Sequence, residues 1–350
     1  MENSAVYHNR TLIKLGLVTI LGCSIFIALI LGEIAVRLCG HVDENGNFFV
    51  KTLRCYPYHL PVNTMRREIN KYLVSKDSYR VYDRNLGWAP RPRSKSKNGL
   101  YLYNECAIRT PSCDTVISKS PAPGVLRILI FGDSFAHGDN VSFENTWGHY
   151  LEDVLKKQNI NAEVLNFGVG GYGMDQAFLR WKAEGYVYKP SIVLFGLRLE
   201  DMDRNVNLII PVYPGETRMP FTKPRFVLEQ GGKLSLINVP TLDPNRLVYI
   251  MNDFTSWELA KYAYWYKSTE YQENLFFRSK LIAFVYSWFK SYHKEQRTYG
   301  EDLEGLSLKI ITLFKEDVEA AGGKFYVVYL PDSGAVNLLK KKQAFACRLL

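Results

Sequence analysis

The chain has 350 residues and a formal net charge of +9, and that length suits one large domain or two small ones. Its apolar and charged fractions are those of a globular protein, so wholesale disorder is not expected. A nucleic-acid-binding protein would cluster its basic residues, whereas here they are spread along the chain, and no nucleic-acid partner is expected. The short basic runs at residues 91–97 and 340–342 predict a solvated surface or a weak attraction to an anionic lipid or glycan.

An uncharged segment near the N-terminus predicts one membrane-spanning helix. Residues 15–32 carry no charged side chain, and at ~1.5 Å per residue a helix of that length covers roughly 27 Å, close to the hydrocarbon thickness of a bilayer. Arg10 and Lys14 precede the segment, which by the positive-inside rule places the N-terminus in the cytoplasm. We therefore predict a cytoplasmic N-terminus over residues 1–14, a transmembrane helix over residues 15–35 and an extracytoplasmic main domain.

Two alternatives to an uncleaved anchor remain open for this segment. A cleaved signal peptide would have a shorter apolar region, of ~7–15 residues, and a small-residue cleavage site, which is not evident here. Ile20-Leu-Gly-Cys23 resembles a lipoprotein cleavage box, but cleavage there would leave a very apolar new N-terminus. Arg37 lies beyond the segment and reduces the charge asymmetry on which the orientation depends.

Cysteine usage is compatible with export. The chain has six cysteines, and one of them, Cys23, lies inside the predicted membrane helix. Cys106 and Cys113 are close enough in sequence to form a small disulfide loop. Two unpaired thiols are the equally open alternative.

The rest of the chain divides into an irregular region and an α/β domain. Residues 40–122 are rich in Tyr, Pro and Asn, which predicts turns and short extended pieces that end in a linker over residues 121–124. Residues 123–350 alternate short apolar runs with amphipathic stretches, which predicts a doubly wound parallel sheet with right-handed crossovers. The predicted strands cover residues 126–131, 162–166, 192–195 and 325–330, and the predicted helices cover residues 146–158, 174–184, 303–321 and 337–350.

A long insert, about residues 206–300, separates the third strand from the last helices. Residues 226–237 predict a hairpin with a Gly-Gly turn. Residues 256–290 are densely aromatic, which predicts either helices that pack on the sheet or a surface that stacks on sugars or rests on a membrane.

The first two strands of the α/β domain end in segments typical of an active site. Residues 131–138 read FGDSFAHG, where Gly132 permits a tight exit from the strand. Ser134 would then lie where a helix begins, and backbone N–H groups there favour a developing oxyanion. Residues 166–173 read NFGVGGYG, and its glycines let the backbone approach a ligand closely. Because ligands of open parallel sheets bind beyond the carboxyl ends of the strands, we expect the two segments to be neighbours and Ser134 to be a nucleophile.

Together these segments resemble the SGNH hydrolase family. The longer runs GDSFAHGDNVSFENTWGHYLE and VLNFGVGGYGMDQAFLRW are similar to its membrane-anchored, extracytoplasmic members. The resemblance implies a flavodoxin-like three-layer α/β sandwich with a parallel sheet. It also implies that Ser134 is the nucleophile and that the backbone N–H groups of Ser134 and Gly171 form the oxyanion hole. The resemblance is specific over about residues 126–205 and diffuse elsewhere.

Two features of that family are missing from the sequence. Its third block usually supplies an asparagine to the oxyanion hole, but Glu200 stands at that position. A carboxylate there would repel an oxyanion unless it were turned away or protonated, so Asn205 is the substitute donor. The family's general base comes from D-x-x-H, and no such motif follows Ser134, because residues 332–335 read DSGA. The general base is therefore unidentified.

Other titratable residues offer no clear replacement for the base. His137 follows Ser134 by three residues and is the substitute nearest in sequence. Asp133 is expected to fix the serine turn and Asp175 to start a helix, rather than to act as an acid or a base. The other histidines downstream of the membrane helix fall in the irregular region or in expected surface and packing positions: His41, His59, His149 and His293.

Three functions are compatible with these patterns. The first is a serine-dependent ester hydrolase or O-acyltransferase acting on an acylated envelope glycan or lipid, which would require the chain to be part of a longer protein that supplies the base. The second is a catalytically inactive, membrane-anchored binding module that keeps the pocket. The third is a dinucleotide-binding enzyme, because residues 168–173 satisfy G-x-G-x-x-G, but no acidic residue ends the following strand to hold a ribose. No cofactor is expected, and no His/Cys/Glu cluster has metal-ligand spacing.

Overall fold

The computed structural model describes residues 2–75, 78–213, 218–229, 231–292, 303–334 and 336–337, without the side chains of residues 2–13 and 200. The helices are α1 (Glu2–Cys39), α2 (Val62–Val74), α3 (Ser134–His137), α4 (Trp147–Lys157), α5 (Met174–Arg180), α6 (Met202–Asn205), α7 (Pro244–Asn252), α8 (Ser268–Tyr271), α9 (Lys280–Tyr292) and α10 (Leu303–Ala320). The strands are β1 (Gly40–Val42), β2 (Phe48–Val50), β3 (Leu53–Arg54), β4 (Arg80–Asp83), β5 (Gly87–Pro90), β6 (Ser94–Lys95), β7 (Leu102–Tyr103), β8 (Leu126–Gly132), β9 (Ala162–Asn166), β10 (Ile192–Leu197), β11 (Arg225–Leu228), β12 (Leu234–Ile237) and β13 (Lys324–Tyr329).

The chain forms two compact units. One contains Met1–Thr64 and Tyr266–Thr298, and the other contains Met65–Trp265 and Tyr299–Leu350. The first unit holds α1, the antiparallel sheet β1-β2-β3 and the helices α8 and α9. The second holds the parallel sheet and every residue of the candidate site.

The long helix α1 dominates the first unit. Its segment Lys14–Cys39 is long and apolar enough to cross a membrane, and it includes the predicted span over residues 15–35. Near the end of this segment the Glu33 carboxylate accepts hydrogen bonds from the backbone N–H groups of Lys280 and Leu281, at 3.0 and 2.9 Å. Glu33 thus satisfies donors at the start of α9 that have no partner within the helix itself.

A four-stranded parallel sheet forms the centre of the second unit, in the order β13-β10-β8-β9. In the order of the chain these strands are the fourth, third, first and second of the domain, which is the flavodoxin-like arrangement. Strand β8 pairs with both neighbours: Ile128 lies opposite Ile192 of β10 and opposite Val164 of β9. The carboxyl ends of β8, β9 and β10 therefore meet at the point where the strand order reverses.

Helices cover both faces of this sheet. Successive side chains of β8 point to opposite faces and are apolar on both, so each face needs a helix to bury it. Ile128 and Ile130 pack in a cluster with Trp147 of α4. Leu129 and Phe131 point to the other face, where a second cluster contains residues of α5 and α10. The expected three-layer α/β sandwich is confirmed.

Most strands and helices predicted in this unit are confirmed within two residues at each end, and so is the hairpin β11-β12. Helix α5 ends earlier than predicted, because a π-helical turn over Trp181–Gly185 follows it. This wider turn carries Trp181, which is fully buried against Phe131 and Phe314. The predicted final helix over residues 337–350 lies almost wholly outside the described residues, as do His293 and residues 340–342.

The region predicted to be irregular, residues 40–122, contains a helix that the sequence analysis missed. Helix α2 buries Met65 and Ile69, four positions apart, which is helical spacing. The same region contributes the hairpins β4-β5 and β6-β7. The suggested disulfide is also absent: Cys106 and Cys113 are free thiols, and the Cys113 thiol donates to the carbonyl of Ser94 at 3.3 Å.

Candidate functional site

The turn after β8 places Ser134 at the first position of the short helix α3. Gly132 precedes it with φ +145, and a Cβ at that position would lie 2.6 Å from the carbonyl oxygen of Gly196, so only glycine fits. The carboxylate of Asp133 caps the helix by accepting from the backbone N–H groups of Phe135 and Ala136, at 2.8 and 3.4 Å. The expectation that Asp133 fixes the turn is confirmed. Ser134 itself is half-buried.

The glycine-rich loop after β9 lies directly beside this turn. The Asn166 side chain donates to the Ala136 carbonyl at 3.0 Å and accepts from the Gly168 N–H at 2.9 Å. The Val169 N–H donates to the carbonyl of Gly132 at 3.1 Å. The two segments singled out in the sequence are therefore held together by hydrogen bonds, as their places in a parallel sheet predict.

Aromatic residues from β5 and the loop itself fix the shape of the glycine-rich segment. The Trp88 indole donates to the carbonyl of Gly170 at 3.2 Å, and the Tyr172 hydroxyl donates to the carbonyl of Trp88 at 2.6 Å. Gly171, between these two contacts, has φ +86. Within the part of the chain that the structure describes, the backbone N–H groups of Ser134 and Gly171 have no hydrogen-bond partner, so both are available to an incoming acceptor.

Charged side chains surround the base of the serine turn. Arg204 places Nη1 3.4 Å from Asp133 Oδ2 and 2.9 Å from Asp201 Oδ1, and it donates from the same nitrogen to the carbonyl of Tyr172 at 3.1 Å. Arg198 Nη1 lies 4.0 Å from Asp133 Oδ2. Burial raises the pKa of Asp201, and the neighbouring Asp133 carboxylate adds to that rise while Arg204 opposes it. The result is a buried network of two carboxyls and two guanidinium groups beneath Ser134.

Asn205, the expected substitute for the family's asparagine, is fully buried. Its side-chain oxygen accepts from the backbone N–H of Met174 at 3.1 Å, and its side-chain nitrogen donates to the Ser307 hydroxyl at 3.0 Å. These bonds tie α6 to α5 and α10. Both polar atoms of the buried Asn205 amide are therefore bonded to other residues of the protein. The oxyanion role of Asn205 stays a sequence-based prediction. The side chain of Glu200 lies outside the described part of the chain.

The Ser134 hydroxyl donates to Asp133 Oδ2 at 3.2 Å. Among the histidines that the structure describes, none makes a hydrogen bond to it. Asp133 already accepts from two backbone N–H groups and faces Arg204. The described residues thus place Ser134 beside the glycine-rich loop and leave its base unassigned.

His137 is buried and engaged through both ring nitrogens. Its Nδ1 lies 2.5 Å from Asp139 Oδ1, and its Nε2 lies 2.7 Å from the Tyr103 hydroxyl. A carboxylate only accepts, so Nδ1 carries the proton and Nε2 accepts from Tyr103. Burial lowers the pKa of His137, against the opposing effect of Asp139. The lone pair that a general base would use is therefore occupied by Tyr103.

Asp175 lies in the first turn of α5, as predicted. It is also half of a buried ion pair that the sequence analysis missed. Asp175 and Lys223 are both fully buried and form a short contact through Oδ2 and Nζ. Asp175 also accepts from the backbone N–H of Gln176 at 2.8 Å. Within the described residues, no group of three His, Cys, Asp or Glu side chains is placed to hold a metal ion.

Comparison with known families gives one match that covers about half of the chain. The model of GDSL-like lipases and acylhydrolases matches residues 128–308, which include the serine turn, the glycine-rich loop and the start of α10. This match confirms the family resemblance found in the sequence. No curated protein sequence matches the chain.

Solved structures that resemble the chain include esterases. The SGNH-hydrolase family esterase AlinE4 is 27% identical over 24% of this chain and 46% of its own, with a TM-score of 0.21. TesA is 23% identical over 22% of this chain and 43% of its own, with a TM-score of 0.21. The acetyl xylan esterase AlAXEase is 12% identical over 57% of this chain and 76% of its own, with a TM-score of 0.24. The chain spans less than half the length of AlinE4 and of TesA.

Proposed function

The chain belongs to the GDSL-like lipase/acylhydrolase family, and on that basis we propose that it is a serine-dependent ester hydrolase or O-acyltransferase. The proposed substrate is an acylated glycan or lipid of the cell envelope. The observation that carries the proposal is the position of Ser134 at the start of α3, beside a glycine-rich loop that is fixed by hydrogen bonds to the same turn.

In the proposed reaction the Ser134 hydroxyl oxygen attacks the acyl carbonyl and forms a tetrahedral intermediate. The backbone N–H groups of Ser134 and Gly171 donate to the oxygen that becomes negative, a contribution that is typically worth ~10²–10³-fold in rate for one donor. The alcohol leaves with a proton and Ser134 carries the acyl group. Water, or a second alcohol in the transferase case, then attacks this ester and regenerates the serine.

The mechanism needs a base that accepts the serine proton. An imidazole has the matching pKa near neutrality, but the ring of His137 is occupied by Asp139 and Tyr103. The proposal is therefore that the base is an imidazole not contributed by the described residues. Added imidazole in solution should substitute for such a group if it is absent from the protein used.

Hydrolysis of p-nitrophenyl acetate by the detergent-solubilised chain, with and without added imidazole, tests the proposal. Ser134→Ala measures the background, including hydrolysis by imidazole alone, and Ser120→Ala, at an exposed serine just before the predicted linker, is the matched control. We expect turnover, raised by imidazole, in the wild type and in Ser120→Ala but not in Ser134→Ala. Equal rates in all three proteins would refute the role of Ser134.

A catalytically inactive binding module is the second candidate. The observation in its favour is that the Ser134 hydroxyl contacts the Asp133 carboxylate, which also contacts the backbone N–H of Phe135 and the Arg204 guanidinium. A protein of this kind would show no Ser134-dependent turnover, with or without imidazole, and would still bind its ligand.

The proposed location is a membrane, with α1 as a single span, the N-terminus in the cytoplasm and the catalytic unit outside. The support is the apolar segment Lys14–Cys39 and the helix α9 that Glu33 caps, since α9 exposes the aromatic residues Trp288, Phe289 and Tyr292. Aromatic rings of this kind favour the bilayer interface. Protease should digest the catalytic unit in right-side-out vesicles and spare it in inside-out vesicles, and the reverse pattern would invert the topology.

A further inference from the structure

A groove with a strongly cationic lining lies beside the glycine-rich loop. Its volume is about 880 Å³, within the range of well-formed ligand sites. The basic run at residues 91–97, which the catalytic proposal does not use, supplies much of its wall. The cations that line it are Arg80, Arg91, Arg93, Lys95, Lys97 and Arg218, in addition to Lys71.

Within the described residues, carboxylates do not neutralise this lining. Glu68 is the acidic residue among the described lining residues, and it forms an ion pair with Lys71 at 2.9 Å. Arg93 pairs with Glu105, also at 2.9 Å. Of the six cations named above, the other five have no carboxylate oxygen within 4 Å among the described residues. The groove therefore carries an excess of positive charge that an anionic ligand would balance.

Two residues of the groove wall approach the glycine-rich loop. The Arg80 guanidinium contacts the Met219 sulfur at 2.7 Å, and both residues line the groove. A Cβ added at Gly171 would lie 3.7 Å from Met219 Cε, and one added at Gly170 would lie 3.1 Å from Arg80 Nη2. A ligand in the groove would thus extend to the loop that holds the proposed oxyanion donor.

The other groups in the lining match a carbohydrate better than an acyl chain. Hydroxyl groups and phenol rings share the lining with the cations, contributed by Ser75, Ser78, Ser94, Ser96, Tyr72 and Tyr79. Such groups hydrogen-bond to sugar hydroxyls, and aromatic faces pack on sugar rings. Several separate cations also require several anions, which a polymer with one charge per repeat supplies and a single small anion does not.

From these observations we propose that the groove binds a segment of an anionic polysaccharide and that this polymer carries the ester that Ser134 processes. The second half of this statement depends on the proposed function, whereas the first does not. Binding and turnover are therefore measured separately, so failure of the groove proposal is distinguishable from failure of the proposed function.

Fluorescence anisotropy of a labelled oligogalacturonate with the full-length chain in detergent tests the proposal. The Lys95→Glu/Lys97→Glu double variant changes two exposed residues of the wall and should bind about tenfold more weakly or worse. Lys309→Glu/Lys315→Glu, with the same charge change on the exposed face of α10, should bind as the wild type does. Arg218→Glu is a second, independent groove variant and should also weaken binding.

The same assay separates the outcomes. Ser134→Ala should lose ester turnover and keep oligogalacturonate binding, because it leaves the groove intact. Equal affinity of the wild type and both groove variants would overturn the proposal, as would equal competition by uncharged dextran. Groove-dependent binding to phosphatidylglycerol vesicles, with none to oligogalacturonate, would assign the site to anionic lipid and overturn the polysaccharide.

Discussion

Arg204 Nη1 lies 3.4 Å from Asp133 Oδ2, immediately beneath the candidate nucleophile. The same nitrogen donates to the carbonyl of Tyr172 at 3.1 Å, so one guanidinium links the serine turn to the glycine-rich loop. Asp133 caps the helix that begins at Ser134. A residue that belongs to neither loop therefore adds to the direct hydrogen bonds that hold Ser134 and the glycine-rich loop together.

Replacing Arg204 should reduce turnover more than it reduces folding. In Arg204→Met the guanidinium that joins Asp133 to the Tyr172 carbonyl is lost, and a misplacement of about 1 Å at reacting groups costs roughly 10²-fold in rate. We expect kcat/KM for p-nitrophenyl acetate to fall by about that factor. Arg246→Met, at an exposed arginine of α7, is the control and should keep wild-type turnover. Full activity in Arg204→Met would show that the link is dispensable.

His137 should make the folded chain sensitive to mild acid. Burial lowers its pKa in the folded state below the ordinary value of 6.5, so above pH 6.5 both states are neutral and its contribution to stability is fully present. As the pH falls below 6.5 the unfolded chain binds the proton first, and the free energy of unfolding drops by up to ~1.4 kcal/mol per pH unit until the folded-state pKa is reached.

Urea unfolding at pH 7.5 and at pH 5.5 measures this dependence. His137→Gln should lose the part of the pH dependence that His137 supplies. An unchanged pH dependence in His137→Gln would contradict the assignment of a buried, neutral imidazole.

The buried pair Asp175–Lys223 should matter far more for stability than an exposed pair of the same type. Both members are fully buried, so Lys223→Met leaves an unpaired carboxylate in the interior and should destabilise the fold by about 3–5 kcal/mol. Lys182–Asp317, at 3.2 Å with both side chains partly exposed, is the matched comparison, and Lys182→Met should cost under ~1 kcal/mol. Similar losses in the two variants, measured by chemical unfolding, would argue against this account of Asp175.

Alanine substitution at two glycines with positive φ distinguishes the energetic cost of backbone strain from the cost of a steric clash. Gly124 has φ +76 and open space around it, whereas a Cβ at Gly132 would meet the Gly196 carbonyl at 2.6 Å. Gly124→Ala should lower the free energy of unfolding only by the cost of a positive φ in a residue with a Cβ, about 1–2 kcal/mol. Gly132→Ala adds an overpacking term of ~1–3 kcal/mol and should also abolish turnover by moving Ser134. Equal stability of the two variants would indicate that the turn after β8 can shift without loss.

Local pattern predicted the framework of the site. The apolar runs of β8 and β9 and the glycines that follow them are short-range signals, so they locate Ser134 and the loop around Gly171 without any knowledge of tertiary contacts. The parallel sheet followed from the alternation of strands and helices, whereas its flavodoxin-like order was implied by the family resemblance. Helix α2 was missed although Met65 and Ile69 have helical spacing, because the surrounding turns and prolines dominated the composition.

The remaining contacts depend on side chains distant in sequence. Trp88 bonds to Gly170, which is 82 positions away in the sequence, and Lys223 pairs with Asp175, which is 48 positions away. The local spacing of apolar residues does not predict such contacts. The engagement of His137 by Tyr103 likewise requires knowledge of how β7 packs on α3. Sequence spacing alone made His137 a substitute base, whereas its surroundings explain it as a buried structural residue.

The central claim is that Ser134 is an activated nucleophile. The most direct test is to treat the protein, isolated from the cells that make it, with a fluorophosphonate and to map the modified peptide by mass spectrometry. The account predicts covalent modification of Ser134, absent in Ser134→Ala and absent after heat denaturation. No modification at all, or modification of a different serine in the native protein, would contradict it.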